Sequence, residues 1–211
     1  MIERSQTLGE EIANSVSHGL GLLAALIAVP FLIVASSALS AANIVGACVF
    51  AASMLLLYTS STIYHALPAG RAKRVFMKLD HGAIYIFIAG SYTPFALGAL
   101  GGPWGWTLFG IVWALAVFGI TLKAFNRLGS QWLSTGLYLA MGWLVLIAAV
   151  PLVRHVAMPG IALLVAGGLA YSAGVVFFVL DSRIRYAHAI WHCFVIAGTA
   201  CHFFAVLGYA A

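Results

Sequence analysis

The sequence predicts an all-α integral membrane protein: a bundle of seven transmembrane helices, N-terminus cytoplasmic and C-terminus outside. Three observations carry this. The 211 residues are 64% hydrophobic and only 7% charged, against about 25% charged in a typical soluble domain, which excludes a soluble globule. Apolar runs of roughly 20 residues, each long enough to cross a ~30 Å hydrocarbon core, recur seven times. Lys and Arg concentrate in alternate connections, as the bias toward the cytoplasmic side requires.

The runs fall at about 16–36, 42–65, 80–99, 104–122, 132–153, 159–180 and 187–209. They use nearly all of the chain, so residues 1–211 form a single membrane domain. The first run is read as a retained helix. Small residues at Ala35-Ser-Ser-Ala-Leu-Ser40 resemble a cleavage site, but Glu3, Glu10 and Glu11 outnumber Arg4 ahead of the run, and a secretory signal needs a basic start. Arg4, Arg71, Lys73, Arg74, Lys78, Lys123, Arg127, Arg183 and Arg185 belong to one side of the membrane and Arg154 alone to the other. This bias accounts for the net charge of +5, and no basic face points to nucleic acid.

Helix 1 opens with Glu11, Asn14 and His18 close to one face near the cytoplasmic surface. Either these are snorkelling groups at the interface, or they form an outer shell that supports a site. Helix 2 is apolar until Tyr58–His65, where Ser61 and His65 are one turn apart. Helix 3 begins at Lys78-Leu-Asp80, placing Asp80 at the same level, either as a helix N-cap or as part of a site. Further along, Pro94 in Gly90-Ser-Tyr-Thr-Pro94 predicts a kink, with Ser91 or Thr93 accommodating freed carbonyls. Helices 4 to 6 carry few ionisable groups. Gly167, Gly168 and Gly174 predict close helix packing, and His155 falls in a solvated outer loop.

Helix 7 opens with Tyr186-Ala-His-Ala-Ile-Trp-His-Cys-Phe194. His188 and His192 stack on one face, in apolar surroundings where ionisable groups need a partner. Zinc suits them, because neutral imidazole is a good ligand and this spacing lets two rings converge. The parity of the topology brings His65 and Asp80 into the same leaflet. His202, 14 residues after His188, is about 21 Å further along and cannot share the ion. Cys48, Cys193 and Cys201 read as small packing residues inside the bundle. Cys193 points about 100° away from His192 and is no ligand.

The set Ser61-x-x-x-His65, Lys78-Leu-Asp80, Gly90-Ser-Tyr-Thr-Pro-Phe95 and His188-x-x-x-His192 resembles the haemolysin III family. That is the bacterial branch of the progestin and adipoQ receptor superfamily, which includes the adiponectin receptors. Glu11-x-x-Asn14-x-x-x-His18 is similar to its first motif. The resemblance covers the whole chain. It implies a Zn2+ ion near the cytoplasmic face of a bacterial plasma membrane, held by His65, His188 and His192. Asp80 and Ser61 would line the same site through water or hydrogen bonds.

Three neutral imidazoles leave zinc one open position, the pattern of a catalytic site. Asp80 is placed to take a proton from water or to orient it, and Ser61 to donate to an oxyanion. With apolar walls around the site, the leading expectation is a zinc-dependent hydrolase of lipid amides or esters that serves membrane homeostasis. A similarity to alkaline ceramidases in the metal motif supports the reaction class by analogy. If Asp80 ligates directly, the site is closed and the zinc structural, in a sensor or regulator of membrane state. A pore-forming cytolysin ranks lowest, because a pore needs a polar stripe through the membrane.

Overall fold

The computed structural model describes residues 5–125, 127 and 131–210. Arg4, one of the basic residues counted above, lies outside them. Seven helices are long and apolar enough to cross a membrane: α1 (Leu8–Ser37), α2 (Ala41–Ala66), α3 (Arg71–Leu100), α4 (Gly102–Ala124), α5 (Trp132–His155), α6 (Met158–Val179) and α7 (Ala187–Tyr209). No strand occurs among the described residues.

The chain packs α1 on α2, α2 on α3, α3 on α4 and α6 on α7, and α1 returns to α7 to close the bundle. In α2, α3 and α7, 44–50% of the apolar window is buried, against 17–28% in the other four helices. The helices that carry His65, Asp80 and the His188/His192 pair therefore form the centre. Phe50, Met54, Leu57 and Tyr58 of α2 pack with Phe87 of α3 and with Trp191, Val195 and Phe203 of α7 in one apolar cluster. The others present Leu, Ile, Val and Phe outward, as lipid-facing helices do.

Several boundaries differ from the sequence reading, each for a local reason. α1 starts at Leu8, where Thr7 and Glu10 form a capping box: the Thr7 N–H donates to Glu10 Oε2 (2.9 Å) and the Glu10 N–H to Thr7 Oγ1 (3.4 Å). α3 starts at Arg71 rather than near Asp80. Its first turns carry Arg71, Lys73, Arg74 and Lys78, which hide the helix from a hydropathy reading. Asp80 is therefore in the third turn and is not an N-cap.

Pro94 does perturb α3: the helix widens into a π segment over Phe95–Leu100. Thr93 Oγ1 donates to Ala89 O (2.9 Å) and Ser91 Oγ to Ile88 O (2.8 Å). α5 tightens to 3-10 geometry over Trp143–Ala148 with no proline within that segment. There the Tyr92 hydroxyl sits between Met141 O (2.9 Å), Gly142 O (2.7 Å) and the Val145 N–H (2.9 Å), holding groups the α-helical ladder would otherwise pair.

The expected glycine packing is present in α6, where a Cβ on Gly174 would meet the Phe194 side chain at 2.7 Å. The cysteine expectation fails in part. Cys48 and Cys193 are exposed on the outer surface of the bundle, and only Cys201 is partly buried. In a membrane protein the outer surface faces hydrocarbon, where a thiol is tolerated as readily as inside.

Candidate metal centre

His65 lies in the last turn of α2, and His188 and His192 in the first two turns of α7. The three rings converge with centroids 4.7–5.3 Å apart. One ligand atom from each lies within 4.8 Å of the others, and all three residues are buried. His202 is outside this set, as its distance along α7 requires.

The outer nitrogens fix the tautomers. The His65 Nδ1–H donates to Glu11 Oε2 (2.8 Å) and the His188 Nδ1–H to Asp181 Oδ2 (2.9 Å). His192 Nδ1 faces Asn14 O (3.1 Å) and Ser17 Oγ (2.9 Å). Because the Ser17 hydroxyl already donates to Asn14 O (2.9 Å), the His192 N–H is the donor there. Each Nε2 then carries a lone pair, and all three Nε2 atoms are buried without a partner. A buried unpaired polar atom costs about 1–3 kcal/mol. Three that converge, each with its far side held by a carboxylate or a carbonyl, match the outer-shell pattern of metal-binding histidines.

A metal ion fits this donor set. A tetrahedral ion with bonds of about 2.0–2.1 Å holds its nitrogens roughly 3.3 Å apart, inside the 4.8 Å within which the three ligand atoms already lie, so binding would draw the rings closer.

Glu11 is held from two sides. Its Oε1 pairs with Lys73 Nζ at 2.9 Å, and the same ammonium donates to Tyr64 O (3.1 Å) and Leu67 O (3.0 Å) at the end of α2. Asp181 lies in the α6–α7 connection, which ends at Tyr186 in a left-handed conformation (φ 60°). The Tyr186 N–H donates to Glu10 Oε1 (3.0 Å), so the capping box of α1 also braces the connection that carries Asp181.

Asp80, buried on α3, is not a member of the converging set. Its carboxylate lies beside the Ser61 hydroxyl, and Ser61 Oγ is 2.7 Å from His18 Nδ1. His18 stacks on His192 with centroids 3.4 Å apart, and its own Nε2 is buried without a partner.

An apolar cavity of about 130 Å³ runs from His18 and Trp191 along Phe87, Ile88, Leu139 and Val195 to His202. Trp191 packs on both His188 and His192, with centroids 4.8 and 5.1 Å away, so the cavity begins against the histidine cluster.

Of the site residues expected from the sequence, the structure brings His65, His188 and His192 together, sets Glu11, Asn14 and His18 against them, and places Ser61 beside His18 and Asp80 beside Ser61, outside the converging set. Sequence reasoning missed Glu10, Ser17, Lys73 and Asp181. Thr7-x-x-Glu10 is a legible capping-box signal. Nothing in the spacing of Ser17 or Asp181 marks them, because Ser17 meets a ring 175 residues away and Asp181 reaches His188 only through the bend at Tyr186.

The fold and this cluster define a polytopic helical membrane protein with a candidate metal site buried at one end of the bundle. Comparison with known proteins narrows the class. The family model described as "Haemolysin-III related" matches residues 6–203, and the chain belongs to the haemolysin III family. It is 47% identical over 204 residues to the "Hemolysin-3 homolog" of Bacillus subtilis (strain 168), covering 96% of this chain and 95% of that protein. It is 43% identical over 210 residues to "Hemolysin-3" of Bacillus cereus, covering 99% and 95%. Human "Monocyte to macrophage differentiation factor" is 29% identical over 170 residues, or 76% of this chain and 68% of that protein.

Proposed function

We propose that the protein is a zinc-dependent hydrolase of lipid amides or esters, seated in the plasma membrane with its site at the cytoplasmic end. The observation that carries this is the trio of buried, unpartnered Nε2 atoms, packed against His18 and Trp191, which line an apolar cavity, with the buried Asp80 carboxylate beside Ser61 and outside the converging ligands. Zinc held by three neutral imidazoles supplies a Lewis acid and lowers the pKa of water to about 7.

The chain's own residues do the rest. Glu11, Asp181 and the Asn14 carbonyl hold each ring in the tautomer that leaves Nε2 free. Asp80 stands ready to accept a proton from the attacking water and to pass it to the leaving amine or alkoxide. Ser61 is fully buried, with its hydroxyl 2.7 Å from His18 Nδ1 and the Asp80 carboxylate beside it, so we assign it to orienting these two groups rather than to an oxyanion. Phe87, Ile88 and Leu139 would line the hydrocarbon chain and exclude water.

The names of the bacillary relatives suggest lysis. Among the described residues, however, the buried Asp, Glu and His side chains cluster at one end of the bundle, and only the partly buried His202 lies far along it. A polar stripe of the kind a pore needs is not supported by that distribution. Incubating the purified protein with a panel of lipid amides and esters tests the proposal. Fatty-acid release that stops on zinc removal and returns on zinc addition is expected; no release from any substrate would overturn it.

A further inference from the structure

α3 is longer than the hydrocarbon layer is thick. Its 30 residues, Arg71–Leu100, span about 45 Å at 1.5 Å per residue, against ~30 Å of hydrocarbon. All its Lys and Arg residues lie in the first eight positions, so the surplus length falls at that end and sits among lipid headgroups. This is the end that carries the histidine cluster, because Lys73 reaches Glu11, the partner of His65.

The two sides of this overhang differ. Lys73 and Asp80 point inward, to Glu11 and Ser61. At 100° per residue, Arg71, Arg74 and Lys78 fall within about 60° of arc on the far side, and all three are exposed. Val75 and Leu79 stand beside them, about half exposed. α4 ends against the same face: Lys78 Nζ donates to Ala124 O (3.2 Å), which brings in the neighbouring Lys123 and the exposed Phe125. The Arg127 N–H turns back to Leu122 O (2.8 Å), keeping its exposed side chain at the seam.

One cation at a helix C-terminus is ordinary capping, and Lys78 fills that role for α4. Arg71, Arg74 and Arg127 are left over, since no hydrogen bond or ion pair among the described residues engages their side chains. The carboxylates are committed elsewhere: Glu10 to Thr7 and Tyr186, Glu11 to His65 and Lys73, and Asp181 to His188. Asp80 is buried on the opposite side of α3. Cations flanked by exposed apolar side chains at headgroup depth match a ligand with both an anionic head and a hydrocarbon chain. A soluble phosphate would use only the cations.

We propose that the seam between α3 and α4 at the histidine end seats an anionic phospholipid of the surrounding membrane. Its phosphate lies between Arg74, Lys78 and Arg127, and its chain runs along Val75, Leu79 and Phe125. The seat is on the far side of α3 from Asp80 and is independent of whether hydrolysis occurs.

The test titrates the purified full-length protein with phosphatidylglycerol or phosphatidylcholine of identical chains, counting bound lipid by native mass spectrometry. A basic residue near an anionic headgroup is worth roughly 5-fold in affinity. The parent should therefore prefer phosphatidylglycerol by about 10-fold or more, and Arg74→Gln/Arg127→Gln should weaken that lipid by roughly 25-fold while leaving phosphatidylcholine unchanged. Arg154→Gln/Arg185→Gln has the same net charge and should bind like the parent. Millimolar glycerol phosphate should not release the bound lipid.

Equal binding of the two lipids by the parent overturns the proposal. So does an equal loss in both double variants, which would make net charge the cause, or release by glycerol phosphate, which would make the site one for soluble phosphate. Should a variant fail to fold, the comparison of lipids and the glycerol phosphate competition on the parent still decide.

Discussion

Replacing Asp181 with alanine removes the carboxylate that accepts from His188 Nδ1 at 2.9 Å. The pair is well shielded, with the two side chains 9% and 19% exposed, so solvent does little to replace it. The freed ring can turn and can present its proton at Nε2, the wrong tautomer for a ligand. Outer partners of metal-bound histidines are typically worth 10- to 100-fold in affinity, or about 1.4–2.7 kcal/mol. Chelator competition on parent and Asp181→Ala should show that drop in zinc affinity. Stability should follow by linkage. At free zinc 100 times the parent's dissociation constant, the ion stabilises the parent by about 2.7 kcal/mol, and the variant at the same free zinc by only about 0.4–1.4 kcal/mol. Equal zinc affinity in parent and variant would refute the assignment of Nε2 as the ligand atom of His188.

Three other outcomes follow from the same structure. His65→Ala, His188→Ala and His192→Ala should each lose most of the zinc measured by elemental analysis, while His155→Ala and His202→Ala should keep it. Gly198→Ala would put a Cβ 2.6 Å from the Tyr171 ring, which is pinned by the hydroxyl's bond to Thr199 (3.1 Å); the overpacking should cost about 1–3 kcal/mol and lower the thermal midpoint. A reporter active only in the cytoplasm should work when fused after Arg71 or Arg127 and fail after Ala211, because the basic residues favour one side.

The sequence and the structure agree where the physics is one-dimensional. A hydrocarbon slab imposes a length, so α7 was legible to the residue and α2, α4 and α6 to within two. Helical periodicity paired His188 with His192, and the parity of the crossings put His65 beside them. The reading fell short where structure depends on partners distant in the chain. The start of α3 was hidden by Arg71, Lys73 and Arg74, which a hydropathy argument assigns to a loop although they are good helix formers. The 3-10 segment of α5 exists because the Tyr92 hydroxyl from α3 enters its ladder, and no residue of α5 announces that. Asp181 acts on His188 through the left-handed bend at Tyr186, a conformation that is uncommon for tyrosine. Asp80 illustrates both sides: its depth was legible, while its place beside Ser61 and outside the converging set required three dimensions.

Whether a metal held by three histidines serves hydrolysis and not only cohesion of the bundle turns on Asp80. Asp80→Asn keeps the size of the side chain and removes its charge and basicity. Zinc content and fatty-acid release should be measured on the same purified preparation of this variant. For a catalytic Asp80, zinc should stay close to one per chain and release should fall by roughly 10²–10⁴-fold, the range for a lost general base. Undiminished release, or zinc and thermal stability lost together with no release detectable in the parent, would contradict that role.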